Sequence, residues 1–148
     1  MKKSDLQSPD SFETMTSIVS SIFEELNIGL LIYHLEHPDE PRTLKLIYVN
    51  RAASDFTGAD LVSRVGKYIL DAFPGLAGSG LPRIYAEVVT SGKSVDLGSF
   101  EYPGDQAIGR SYYSVKAFRM PDACVGIVFE NITVRKQVEE LVKKEMGR

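Results

Sequence analysis

Near its C-terminal end the chain changes pattern abruptly, and that change restricts the possible folds more than any other feature. Cys124-Val125-Gly126-Ile127-Val128-Phe129 is an apolar, β-branched run without helical spacing and reads as a buried strand. It passes through Glu130-Asn131-Ile132-Thr133 into a charged segment in which Val134, Val138 and Leu141 fall four and three residues apart, the spacing of a helix face. Almost no loop separates the two. A fold that satisfies both must bury the strand in a sheet and start a solvated helix at its end, so a strain in the core reaches the helix directly.

Alternation then orients the strands. With Glu130 in solvent, Val125, Ile127 and Phe129 face inward. With Lys116 in solvent, Tyr113, Val115 and Ala117 do the same. Further strand signals cover 29–33, 44–49, 95–102 and 110–118, and the first two are separated by the polar segment Glu36-His37-Pro38-Asp39-Glu40-Pro41. Between strands two and three the pattern is helical. Asn50 is placed to cap a short helix over 51–56 that stops at Gly58. Segments 60–65 and 67–72 read as two more short helical pieces, and Pro74-Gly75-Leu76-Ala77-Gly78-Ser79-Gly80 as a flexible link. A longer helix runs from Pro82 through Val89 and ends at Gly92.

The chain opens with Asp10-Ser11-Phe12-Glu13, which has the spacing of a capping box. Phe12, Met15, Val19, Ile22 and Leu26 follow on one helical face, widened by Ile18 and Phe23. That face either covers the domain's own sheet or pairs with a second copy of itself. The element order predicts an α+β domain, a five-stranded antiparallel sheet with short helices on one face, flanked by N-terminal and C-terminal amphipathic helices. Its organisation is a polar tail and amphipathic helix at 1–26, the domain proper at 27–133, and a connector helix at 134–148.

At 148 residues the chain is one domain's worth. No run approaches the roughly 20 apolar residues of a membrane span, so no membrane insertion is expected. Met1-Lys2-Lys3 is followed by polar residues where a signal peptide needs an apolar segment. One cysteine permits no internal disulfide, which together with the missing signal places the chain in the cytoplasm. A net charge of −3 gives no footprint for nucleic acid. Catalytic signatures are also missing: the glycine-rich link lacks the Lys-Ser/Thr ending of a phosphate loop, and there is no nucleophile elbow or metal cluster. His34 and His37 have no cysteine or carboxylate partners at metal spacing, and Cys124 reads as a small packing or surface residue.

Several short motifs, in order along 22–137, resemble the PAS family of sensory domains. Tyr48-Val49-Asn50-Arg51-Ala52-Ala53 is similar to the family's second-strand signature, in which an asparagine leads into the first short helix. Thr57-Gly58-Ala59-Asp60-Leu61 resembles the turn that follows, and Ser91-Gly92-Lys93-Ser94-Val95 the turn from the long helix into the third strand. Glu130-Asn131-Ile132-Thr133-Val134-Arg135-Lys136 is similar to the closing motif that starts the family's signalling helix. That motif usually carries aspartate where Asn131 stands, so a hydrogen bond remains available but an ion pair to Arg135 or Lys136 does not.

The resemblance implies a pocket between the long helix and the sheet. Ile84, Tyr85 and Val88 would face Val115, Ala117, Ile127 and Phe129, with Tyr113 and Tyr85 as polar handles, or the same residues would simply fill the core. Haem-binding members present a histidine from the long helix, which 84–89 lacks, so b-type and c-type haem are not expected. Flavin–cysteine photochemistry needs a cysteine before the link, where this chain has Leu70-Asp71-Ala72-Phe73-Pro74. A non-covalent flavin or a small metabolite stays open. Asn131, Thr133 and Arg135 are the expected relay into the last helix.

Three functions follow as expectations. The first is a sensory input domain that relays a small molecule or partner through the C-terminal helix to an effector, such as a histidine kinase or a cyclic-dinucleotide enzyme. The second is a ligand-free dimerisation module, with a homodimer formed through the terminal helices. The third and remotest is a small isomerase- or hydrolase-like enzyme using a buried acid.

Overall fold

The computed structural model describes residues 9–147; the side chains at 9–13, 15, 16 and 20 are outside the description. The side chains of the capping box, Asp10 and Glu13, and of the stripe positions Phe12 and Met15 therefore lie outside the description, and the tail before residue 9 lies outside the described residues. Helix α1 spans Pro9–Glu25, α2 Arg51–Thr57, α3 Ile69–Ala72, α4 Leu81–Ser91 and α5 Thr133–Met146. Strands β1 Gly29–Leu35, β2 Leu44–Val49, β3 Val95–Tyr102, β4 Ser111–Met120 and β5 Cys124–Asn131 form one antiparallel sheet in the order β2-β1-β5-β4-β3. The apolar run Cys124–Phe129 thus lies in the central strand, β5.

The helical layer follows the local signals, with two changes. Asn50 caps α2, its side chain accepting from the Ala53 amide, and α2 and α4 stop at Gly58 and Gly92. The expected helix over 67–72 is shortened to α3. Residues just before it pair with β2 instead, where the Gly66 amide donates to the Leu46 carbonyl and the Leu46 amide to the Lys67 carbonyl. Nor is the glycine-rich segment a free link: it contains a 3-10 turn at Pro74–Leu76, and Leu76 is buried in the core.

Both sheet faces carry apolar residues. The inner face packs against α2, α3 and α4 around Leu31, Tyr33, Leu46, Val115, Val125 and Ile127. On the outer face Leu30, Ile32 and Cys124 are covered in part by Phe23 of α1 with Phe118 and Val128. The rest of the α1 stripe, Ile18, Val19, Ile22 and Leu26, stays exposed.

Two β-bulges decide which side chains reach the inner face. The register skips Ile47 between the pairs Tyr33–Leu46 and Ile32–Tyr48, which turns Tyr48 outward and Val49 inward. In β3 it skips Leu97 beside Gly98, whose φ of 62° suits glycine. Val95 and Leu97 face inward before this bulge; Phe100 and Tyr102 face inward after it. One inserted residue exchanges the faces of everything beyond it.

Candidate functional site

A cavity of about 70 Å³ lies between the sheet and the helical layer. Its sheet wall is Leu31 and Tyr33 of β1, Phe100 and Tyr102 of β3, Tyr113 and Val115 of β4, and Ile127 and Phe129 of β5. Thr57, Leu61, Phe73, Leu76, Leu81 and Tyr85 supply the other side, and Ile108 enters from the β3–β4 loop. Seven of these residues are aromatic: Tyr33 and Tyr85 stack at 6.0 Å, and Phe129 meets Tyr113 edge-on at 5.4 Å and, behind the lining, Phe56 at 6.3 Å.

Among the sequence-predicted pocket residues, Tyr85, Tyr113, Val115, Ile127 and Phe129 line this cavity. Ile84, Val88 and Ala117 do not, which corrects their placement. Ile84 is adjacent to Tyr85 on the helix but turned away from the lining, half-buried against the core. Val88 lies one helical turn beyond Tyr85 and Ala117 one pleat beyond Val115; α4 packs directly on β4 and β5, and both residues are consumed in that solid contact. Tyr33 and Phe73 were not among the predicted pocket residues, although alternation with Leu31 would have pointed to Tyr33. Phe100 and Tyr102 were hidden by the β3 bulge.

No charged side chain lines the cavity among the described residues. Burial raises the phenol pKa of Tyr33, Tyr85, Tyr102 and Tyr113, so all four are neutral over the physiological range. The Tyr102 hydroxyl is fully committed, donating to Asp105 Oδ2 at 2.7 Å and accepting from the Gly75 amide at 3.1 Å.

Asp105 is the centre of a latch that holds the β3–β4 loop on the helical layer. Arg64 Nη1 donates to Asp105 Oδ2 at 3.1 Å and to the Ala72 carbonyl at 2.7 Å, and its guanidinium lies 5.4 Å from the Phe73 ring centroid. Asp105 Oδ1 accepts from the Ala107 and Ile108 amides, both at 2.8 Å, and this fixes Ile108 in the core. Burial pushes the Asp105 carboxyl up, but Arg64, Tyr102 and the two amides together outweigh it and hold its pKa well below the ordinary carboxylate range. Neither Arg64 nor Asp105 carried a sequence signal, being 41 residues apart.

At the far end of β5, Asn131 Oδ1 accepts from the Thr133 amide at 3.0 Å and hydroxyl at 2.7 Å, while Asn131 Nδ2 donates to the Phe56 carbonyl at 3.3 Å. Thr133 Oγ1 accepts from the Tyr112 amide at 3.0 Å, and the Ile132 amide donates to the Tyr112 carbonyl at 2.8 Å. The first residues of α5 are therefore tied to α2 and β4. Arg135 points elsewhere, pairing with Glu139 at 3.9 Å on the same helix, as Lys136 does at 3.7 Å. Val134, Val138, Leu141 and Val142 leave α5 with an exposed apolar face.

The remaining candidates for chemistry are sparse. His34 Nδ1 lies 2.9 Å from the Asp122 carbonyl and 3.7 Å from Cys124 Sγ, and burial raises the thiol pKa, which makes it a poor nucleophile. Among the described residues no group of His, Cys, Asp and Glu is arranged to hold a metal, and no helix is long and apolar enough to cross a membrane.

Gly29 is held open by the site. A Cβ at this position would lie 2.6 Å from Phe129 Cζ, and Phe129 is itself wedged against Phe56 and Tyr113. Gly29→Ala is expected to displace that ring and destabilise the fold by about 1 to 3 kcal/mol. The shift in urea midpoint measures it.

No protein-family model matches the chain, and no curated protein matches it. Solved structures do share its fold. One is a domain of the sensory box sensor histidine kinase/response regulator from Geobacter sulfurreducens, 13% identical, with a TM-score of 0.58 covering 80% of this chain and 96% of that one. A second is an RNA-binding Light-Oxygen-Voltage receptor, 15% identical, with a TM-score of 0.56 covering 89% of this chain and 39% of that one. A third is the Photoactive Yellow Protein domain of a sensor histidine kinase from Rhodospirillum centenum, 16% identical, with a TM-score of 0.54 covering 75% of this chain and 91% of that one. The five-stranded antiparallel sheet with helices on its inner face is the PAS-like fold.

Proposed function

We propose that this PAS-like domain is a sensory input module whose small-molecule site is the aromatic cavity and whose output is α5. One observation carries the reading: Phe129 lines the cavity and packs on Phe56, whose carbonyl holds Asn131, whose side chain holds Thr133 at the start of α5. The cavity wall and the helix are thus joined by consecutive contacts. Occupancy that moves Phe129 shifts Phe56 and with it the anchor of α5. A ligand drives this only through different affinity for the two positions. Asn131 and Thr133 act as the relay, while Arg135 stiffens α5 through Glu139. The effector is a domain or partner kinase beyond α5, in keeping with the sensor histidine kinases whose domains share this fold.

The test uses protein purified from cells. Denaturing mass spectrometry and an absorption spectrum identify what is bound, and amide exchange over 131–142 is compared before and after its removal. A severalfold change in exchange is expected. Identical exchange with the cavity filled and emptied rejects the relay.

A second reading, dimerisation, is favoured by the exposed apolar faces of α1 and α5. Ile22→Lys and Val138→Lys on these faces are expected to convert a dimer to a monomer in sedimentation, and a wild-type monomer at high concentration rejects it. The enzyme reading required a buried carboxylate facing the cavity. The lining supplies none, and Asp105 is committed to Arg64 and Tyr102.

A further inference from the structure

Ile108 alone among the cavity-lining residues comes from the connection between β3 and β4, residues 103–110, yet it is 2% exposed and packed in the core. The chain around it closes into a turn: the Asp105 amide donates to the Ile108 carbonyl at 2.8 Å, and Asp105 Oδ1 accepts from the Ile108 amide at 2.8 Å. Among the described residues, the hydrogen bonds that tie 104–108 to the rest of the domain all end on Asp105, at Arg64 and the Tyr102 hydroxyl. Gly104, at a φ of 100°, and Gly109 bracket the turn, positions able to absorb the backbone rotation of a hinge. One carboxylate thus decides whether an apolar side chain stays in the ligand space.

Size shows what that side chain excludes. A dry cavity of about 150 Å³ holds benzene, and with Ile108 in place this one measures about 70 Å³. Seven aromatic side chains therefore line a space too small for a ring. No charged side chain lines it among the described residues, and Arg64 is already paired with Asp105, so an entering ion would stay unpaired. We infer that Ile108 is a removable plug: the cavity takes an uncharged molecule of ring size, and takes it only when the Arg64–Asp105 latch releases and Ile108 withdraws. The inference rests on the reading of the cavity as the ligand site and adds its regulation. Ligand and latch compete for one space, so the affinity for a ring is its intrinsic value reduced by the fraction of molecules in the released state.

Benzene and xenon separate the two states, since a single xenon atom fits beside the plug and benzene needs its place. Each is titrated into the full chain while the methyl resonances of Leu61, Val115 and Ile127 are followed. Asp105→Asn keeps the size of the side chain and removes its charge. It is expected to tighten benzene binding about tenfold, the weight of one hydrogen bond between charged groups, and to leave xenon unchanged. Asn50→Ala, which loses stability outside the latch, is expected to alter neither. The wild type supplies a readout that needs no variant: benzene, and not xenon, is expected to speed exchange of the Ala107 and Ile108 amides severalfold, because both are freed from Asp105. Equal benzene affinity in the wild type and Asp105→Asn, benzene binding with unchanged exchange at 107 and 108, the same tightening in Asn50→Ala, or binding of xenon but not benzene by the wild type and Asp105→Asn alike overturns the plug and leaves the cavity as the site. No methyl response to either probe in any of the three proteins overturns the cavity as the ligand site, and the inference with it.

Discussion

Asp105→Ala is expected to lower the free energy of unfolding by about 3 kcal/mol, a large share of the total for a domain of this size. The side chains of Arg64 and Asp105 are 13% and 9% exposed, so removing the carboxylate leaves a guanidinium largely buried without its counter-ion. Breaking such a pair costs about 3 to 5 kcal/mol, and the lower end applies because Arg64 keeps the Ala72 carbonyl and some water. The same change strips the Ile108 amide and the Tyr102 hydroxyl of their partners. Urea unfolding measures the loss, and a change below about 1 kcal/mol would show that the latch is ornamental.

The latch also gives a pH dependence with a definite sign. Because the folded carboxyl titrates below its ordinary value of 3.8, the unfolded chain binds the proton first, and stability falls as pH drops. The contribution is complete above about pH 5 and is lost progressively from about pH 4 downward. In Asp105→Asn this part of the acid profile is expected to flatten. An unchanged slope between pH 5 and pH 2 would place the acid sensitivity elsewhere.

Asn50→Ala is expected to cost about as much. Asn50 is 2% exposed; its Oδ1 accepts from the Leu30 amide at 2.9 Å and the Ala53 amide at 3.0 Å, and its Nδ2 donates to the Ile28 carbonyl at 3.0 Å. One side chain therefore caps α2 and fastens it to the start of β1. A lost cap contributes about 1 kcal/mol, and a buried amide left unpaired adds about 1 to 3 kcal/mol, for a total near 3 kcal/mol. Asn50→Asp keeps both acceptor bonds but loses the donor to Ile28 and sets a buried carboxylate oxygen against that carbonyl, so its midpoint is expected below that of the wild type. A midpoint equal to that of the wild type would mean that the Ile28 bond contributes nothing.

These two residues mark where the sequence was legible and where it was not. Asn50 stood just before a short helical pattern, and a cap is a contact with the residue three places on, so its role could be read locally. Its bond to Leu30 could not, being 20 residues away. The same division runs through the cavity. Tyr113, Val115, Ile127 and Phe129 were found by alternation within regular strands, whereas Phe100 and Tyr102 lie beyond a bulge that alternation cannot see. Asn131 was recognised as a hinge from the closing motif, but its bond to Phe56, the step that joins α5 to the cavity wall, spans 75 residues.

By itself, then, the sequence determined the order and type of the elements, the inward faces of β4 and β5, the cap at Asn50, and the abrupt passage from a buried strand into α5. Each rests on a period of two or 3.6 residues, or on a bond within one turn, and such interactions are encoded in neighbouring positions. Only the tertiary structure decided the bulges at Ile47 and Leu97, the Arg64–Asp105 latch, and the existence of the cavity. A bulge is a mismatch between two strands, an ion pair needs both ends in place, and a cavity is what the packing of several elements fails to fill. None of these is a property of any one stretch of chain.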